Sequence, residues 1–345
     1  MARTKPDTDP RPVIMWFRRD LRLSDNPALT TAAKAGPVIP LFILDDDACG
    51  QCKPGGASRW WLHHSLTALA ASFAERNMQL ILRRGRAAQV LDELIAETGA
   101  RAVYWNRLYE PFAIARDGTI KSALEGHGIE AKSFNGALLA EPWTVKTGSD
   151  GPFKVFTPFW RAASQLIEDT TPTPAPSRLV APNAMPRSDE LDTWRLTPAK
   201  PDWAAGFRTI WTPGEAGARK KLKTFVDGNL HRYADGRDRP DQQNTSRLSP
   251  HLHFGEISPR QIRQAVEAAN ERAPNAQRHV DKFMAELGWR EFSHHLLFHF
   301  PTLPERNFRP AFDRFPWRSD EQAFHAWTRG RTGYPIVDAG MRELW

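Results

Sequence analysis

An α/β domain joined by a long linker to an all-α domain is the fold class that the sequence predicts. Three observations carry it. Short apolar runs alternate with amphipathic stretches over residues 12–140, seven prolines crowd 172–201, and strand-like patterns stop beyond them. Strands separated by helices imply βαβ crossovers, hence a doubly wound parallel sheet with helices on both faces. Five strands are expected: Val13–Phe17, Val38–Leu44, Met78–Leu82, Ala102–Trp105 and Ile129–Phe134. Ala28–Ala35, Ser58–Arg76, Ala87–Thr98 and Phe112–Gly126 read as the helices between them.

The proline-rich passage suits an extended linker, placed at 141–205, with the helical domain at 206–345. Within that domain Thr212-Pro213-Gly214-Glu215, Ser249-Pro250 and Ser258-Pro259 each read as a helix start, with a hydroxyl N-cap and a proline in the first turn. Gln277–His299 reads as one long helix with Val280, Phe283, Met284, Leu287, Leu296 and Leu297 apolar. Thr332-Gly333-Tyr334-Pro335 reads as a turn, and the helix from Ile336 runs to Trp345 without a cap, so a chain truncated at its C-terminus is expected.

The chain is 41% hydrophobic and 25% charged. It has no apolar run long enough to span a bilayer, and its first twelve residues are polar rather than a secretory signal. A cytoplasmic monomer without a membrane partner is the expectation. A formal charge of +7 favours an anionic partner such as nucleic acid. Several of the thirteen tryptophans stand beside Arg, Glu or His, which suits stacking on planar rings as well as core packing. Cys49 and Cys52 have the Cys-x-x-Cys spacing of a redox motif, but with no second pair to complete a zinc site they read as free thiols in an acidic, glycine-rich loop.

Ligands of doubly wound sheets gather at the carboxyl ends of strands. Here Phe17-Arg18-Arg19-Asp20-Leu21-Arg22 follows the first strand in place of Gly-x-Gly-x-x-Gly, which argues against an ordinary dinucleotide site. Thr245-Ser246-Arg247-Leu248-Ser249-Pro250 places three hydroxyls and a guanidinium before a helix, an arrangement that would suit phosphate but by itself reads first as a capped helix with a surface arginine. Glu286, Trp289, Arg290 and Ser293 share a helix face by i, i+3, i+4 and i+7 spacing, and that face mixes charge and indole as neither core nor solvent faces do.

Six strings in order identify a resemblance to the photolyase/cryptochrome family over essentially the whole chain. They are Met15 to Asn26, Ser58-Arg59-Trp60-Trp61-Leu62, Thr245 to Ser249, His253 to Ser258, Trp289-Arg290-Glu291-Phe292 and Thr332 to Ala339. The resemblance is closest to the bacterial class I cyclobutane-dimer photolyases. It implies an antenna-binding α/β domain and a helical domain holding FAD, with UV-damaged DNA as partner. By resemblance Tyr233, Thr245, Ser246, Arg247, Leu248, Ser249, Glu286 and Arg290 hold FAD, and Arg237, Glu286, Trp289 and Arg290 meet DNA. Glu286 and Trp289 also act in repair, and Trp317 is the outermost member of an electron relay. The implied reaction is light-driven cleavage of a flipped pyrimidine dimer by an electron from excited reduced FAD. Phe112-Ala113 stands where folate-binding relatives carry Asn-Glu, so the antenna is a folate held differently, a deazaflavin, or absent. A cryptochrome photoreceptor, a (6-4) photolyase and a non-catalytic nucleic-acid-binding protein are the alternatives.

Overall fold

Five strands, β1 (Val13–Phe17), β2 (Val38–Leu44), β3 (Ile81–Arg84), β4 (Ala102–Asn106) and β5 (Glu130–Phe134), form one parallel sheet in the order β3-β2-β1-β4-β5. β1, β2 and β4 are buried along their whole length, as their unbroken apolar runs require. Alternate residues of β1 supply two cores: Val13, Met15 and Phe17 on one face, Ile14 and Trp16 on the other. The computed structural model describes residues 9–46, 53–167, 171–272 and 274–344. Its two compact units divide at Pro301/Thr302. Cys49 and Cys52 lie outside the described residues.

Helices α1 (Pro27–Ala35), α2 (Gly56–Ala74), α3 (Ala87–Thr98) and α4 (Pro111–Gly126) alternate with the strands. After them come α5 (Phe156–Leu166), α6 (Ala205–Ile210), α7 (Glu215–Gly228), α8 (Tyr233–Gly236), α9 (Ser249–His253), α10 (Pro259–Arg272) and α11 (Gln277–His299). The second unit carries α12 (Glu321–Thr328) and α13 (Pro335–Leu344). No described residue beyond β5 is in a strand, and no described helix is long and apolar enough to cross a membrane.

Four expectations are corrected. β3 begins at Ile81 rather than Met78, because Met78 and Leu80 reach the core from the turn after α2, where the Met78 amide bonds the Phe73 carbonyl at 3.0 Å. The passage expected as linker holds α5, whose Phe156, Phe159, Trp160 and Ala163 form an apolar stripe, followed by a strap laid on the sheet. In that strap the Asp189 amide donates to the Leu82 carbonyl (2.8 Å) and Ser188 Oγ accepts from the Leu82 amide (3.0 Å), so the free edge of β3 is covered. Trp194 packs into the core beside Phe42. Ser249 is the first residue of α9 rather than its cap, and Gly214 rather than Thr212 precedes α7. Only Ser258 caps as expected: its hydroxyl accepts from the Gln261 amide (3.0 Å) and Gln261 Oε1 from the Ser258 amide (2.9 Å), a reciprocal capping box.

The crevice between β1 and β4, where the strand order reverses, is filled by the protein itself. Asn106 Nδ2 donates to Asp20 Oδ2 (2.7 Å) and to Asn26 Oδ1 (2.8 Å), and a Cβ on Gly136 would collide with Asn106. The basic string after β1 serves a joint instead. Arg22, 1% exposed, donates to the carbonyls of Ser24, Asp25, Gly136 and Gly255 at 2.6–3.0 Å. Gly255 has φ +65°, and a Cβ there would overlap the Arg19 carbonyl. Beside it the buried Glu256 carboxylate accepts from Trp61 Nε1 (3.0 Å), Ser65 Oγ and the Gly214 amide (2.7 Å), and pairs with His251 Nδ1.

A second joint ties α11 to the segment after β5. Glu291 Oε2 accepts from the Leu139 (2.8 Å) and Ala140 (3.3 Å) amides, while Arg290 Nη1 bonds Glu291 Oε1 and the Ala137 carbonyl. Burial pushes the Glu291 carboxyl up to about 7, against the opposing pull of Arg290 and the two amides. Deeper in the same contact His295 accepts from the Phe153 amide (3.1 Å) and its Nδ1 faces the Pro142 carbonyl; burial lowers its pKa to about 4, so the ring is neutral.

Two outcomes follow. Gly255→Ala is expected to lower stability by about 2–4 kcal/mol in urea unfolding, since the neighbour it strikes is backbone. Glu291 binds its proton more tightly folded than unfolded, so its contribution is fully present below about pH 4.5 and is lost as pH rises towards 7. Unfolding midpoints of Glu291→Gln are therefore expected to vary less over that window than those of the parent protein.

Candidate functional site

The site is built on α11, α8 and the turn leading into α9. Tyr233, at the start of α8, packs edge-on against Phe283 of α11 (5.2 Å) and Phe225 of α7 (5.6 Å). Burial raises the pKa of its phenol. Arg237, one turn further, lies 5.7 Å from the Tyr233 ring centroid and forms an ion pair with Glu286 of α11. Lys282 Nζ stands 3.6 Å from the same carboxylate, a partner that sequence reasoning missed although its i, i+4 spacing from Glu286 is plain.

Buried Asn244 draws the next segment in. Its side chain occupies the space that Gly236 leaves open by lacking a Cβ, so the turn 245–249 lies against α8. Arg247 in that turn has φ +51°, a left-handed conformation that costs a non-glycine residue about 1 kcal/mol. Leu248 is buried in the core and offers only its backbone. Among the described residues the Arg247 guanidinium has no carboxylate partner, and the Thr245 and Ser249 hydroxyls accept or donate no hydrogen bond; Ser246 Oγ lies 3.4 Å from the Leu248 amide. Unspent donors on a strained turn fit a phosphate or diphosphate, so the residues present suit the FAD that the resemblance implies.

On α11 the expected face divides. Glu286 turns to Arg237, and Trp289 remains 45% exposed with Phe156 of α5 stacked flat on one side of its indole (3.8 Å between centroids, 8° between planes). Ser293 donates to the Trp289 carbonyl (2.9 Å). Arg290, expected beside Glu286, turns instead to Ala137 and Glu291, because the buried carboxylate needs a cation. The structure thus gathers Tyr233, Arg237, Glu286 and the 245–249 turn, with Trp289 one turn along the same helix, and takes Arg290 out of the group. Phe156 was missed as a neighbour of Trp289; the signal for it was the apolar stripe of α5.

Trp317 belongs to the second unit, where it is 73% exposed and packs on Phe315 (4.7 Å). In that unit the Asp338 carboxylate accepts from the Thr332 amide (2.8 Å) and hydroxyl (2.6 Å) and the Gly333 amide (3.0 Å), which pins the turn before α13. Phe112-Ala113 opens α4, with Ala113 buried and the preceding Glu110 paired to Arg19.

Comparison with known proteins agrees with this layout. The family model described as DNA photolyase matches residues 13–177, and the one described as the FAD binding domain of DNA photolyase matches 283–345. The deoxyribodipyrimidine photo-lyase of Agrobacterium fabrum is 51% identical over 97% of this chain and 69% of its own. Cryptochrome-1 of Arabidopsis thaliana is 40% identical over 96% of this chain, which spans 50% of that protein. A crystal structure of a bacterial class III photolyase from Agrobacterium tumefaciens superposes with a TM-score of 0.93 at 50% identity, covering 99% of this chain and 70% of that one. That likeness to a class III enzyme replaces the expected closeness to class I. The five-stranded parallel domain, the helical FAD-binding layer and these matches place the chain in the DNA photolyase/cryptochrome family.

Proposed function

We propose that this protein repairs cyclobutane pyrimidine dimers in DNA by a light-driven reaction. One observation carries the reading: Glu286, paired with Arg237 at the end of α8, and the half-exposed Trp289 lie one turn apart on α11, while the turn that Asn244 holds against α8 keeps the Thr245, Arg247 and Ser249 side chains without hydrogen-bond partners among the described residues. In this reading Thr245, Ser246, Arg247 and Ser249, with the Leu248 amide, hold the diphosphate of FAD, and Tyr233 backs the site. Bound reduced FAD would supply, once excited, the electron that opens the cyclobutane ring and is then returned.

The protein's own residues bind and orient. A dimer must leave the base stack, which costs a few kcal/mol and less for a damaged step than for an intact one. The open face of Trp289 receives the extruded bases by stacking, and the Glu286 carboxylate accepts an N–H from a base edge. Arg237 takes a backbone phosphate, which competes with Glu286 for the guanidinium and so frees the carboxylate for the base. Exposed Trp317 serves as the entry point for an electron from a soluble reductant such as a thiol. The likeness to Arabidopsis Cryptochrome-1 supports a second reading, a blue-light photoreceptor; the indole on the open helix face favours repair.

The deciding experiment illuminates the flavin-loaded protein with blue light in the presence of oligonucleotides carrying one thymine dimer or one (6-4) photoproduct. Loss of the cyclobutane dimer alone is expected. Repair of the other lesion would make it a (6-4) enzyme, and light-dependent flavin reduction without repair would support the photoreceptor; a purified protein that shows no flavin spectrum and takes up none would leave a nucleic-acid-binding protein. Trp289→Ala is expected to keep its flavin spectrum and lose about tenfold or more in affinity for dimer-containing DNA, in line with base–aromatic stacking. Arg237→Ala is expected to weaken damaged and undamaged DNA alike and to reduce the salt slope of binding by about 1, measured by titration at several salt concentrations.

A further inference from the structure

The indole of Trp289 has only one open face. Phe156 lies parallel to the other, 3.8 Å away between centroids, and Phe292 closes the corner by meeting both rings edge-on, at 6.0 Å from Phe156 and 5.9 Å from Trp289. Phe156 is itself held firmly. Phe159, one turn along α5, packs on Phe292 (5.1 Å) and on buried His295 (4.9 Å). The Trp160 ring lies against α11 at Gly288, where a Cβ would come within 2.6 Å of it. α5 is thus seated on α11 by contacts that do not involve Trp289.

We propose that Phe156 is a positioning residue for lesion recognition: by stacking behind Trp289 it sets the plane of the indole and leaves one face for the extruded bases. This rests on the proposed role of Trp289. An indole on a helix surface samples several χ1 and χ2 settings, and a partner that stacks on it must bear the loss of that freedom. A parallel ring already in contact removes the loss beforehand, and it does so through the flatness of the ring rather than through its volume. Undamaged DNA, whose bases stay in the duplex, does not use the indole face and gains nothing from the arrangement.

Phe156→Leu, Phe156→Tyr and Trp289→Ala separate this role from simple packing. Each flavin-loaded variant is titrated with an oligonucleotide carrying one thymine dimer and with its undamaged counterpart, and its unfolding midpoint is recorded. Leucine keeps the apolar volume, so the midpoint should hold while dimer affinity falls about three- to tenfold, the range that aromatic pairing supports; undamaged DNA should bind as before. Tyrosine keeps a flat ring and should restore dimer affinity. If Trp289→Ala loses dimer binding while Phe156→Leu retains it, the positioning role is overturned and the role of Trp289 stands. If Phe156→Leu weakens both DNAs equally, the effect is structural and the inference is overturned as well. Unchanged dimer binding by Trp289→Ala would sink the reading of that residue and this inference with it.

Discussion

A single buried guanidinium sets the terms for the larger unit. Arg22 has no water to bond, so each of its donors must find oxygen, and the four carbonyls that supply it come from the loop after β1, the segment after β5 and the turn before α10. Neutral carbonyls do not balance the charge by themselves; Asp25 and Asp20 lie near enough to offset part of the desolvation that lowers the Arg22 pKa. Asp25 in turn holds Ser258 Oγ and Arg260 Nε (3.0 Å). The helical layer is therefore registered against the sheet by polar geometry, in which a small displacement leaves a buried group unpaired.

This joint explains why the most recognisable strings of the sequence are not the site. Met15 to Asn26, Ser58 to Leu62 and His253 to Ser258 identify the family, yet their charged and aromatic members are spent on one another: Arg22 on Gly255, Trp61 on Glu256, Asp25 on Ser258. The residues left with unused hydrogen-bonding or stacking capacity are fewer and plainer, a Thr-Ser-Arg turn and the open face of Trp289.

Much of the fold was legible because periodicity reports burial directly. β1, β2, α3 and α11 fall where their apolar patterns end. β3 was misplaced because Met78 and Leu80 are buried without being extended, and apolar content alone does not distinguish a strand from a buried turn. The strap was underestimated because proline excludes regular structure but not packing. At the site, the pairing of Arg237 with Glu286 joins residues 49 positions apart and left no local pattern to find. Arg290 misled for a related reason. Helical spacing put it on the face of Glu286, but its long stem let the head group follow the buried Glu291 rather than its own Cβ direction.

The strap over the sheet edge has a mechanical consequence. Hydrogen-bonded to β2 through Val38 and to β3 through Leu82, and continuous with α6, it is a brace rather than a hinge. Sliding of the strap along the sheet would break its pairings with Val38 and Leu82 together, so the chain enters α6 from a fixed direction.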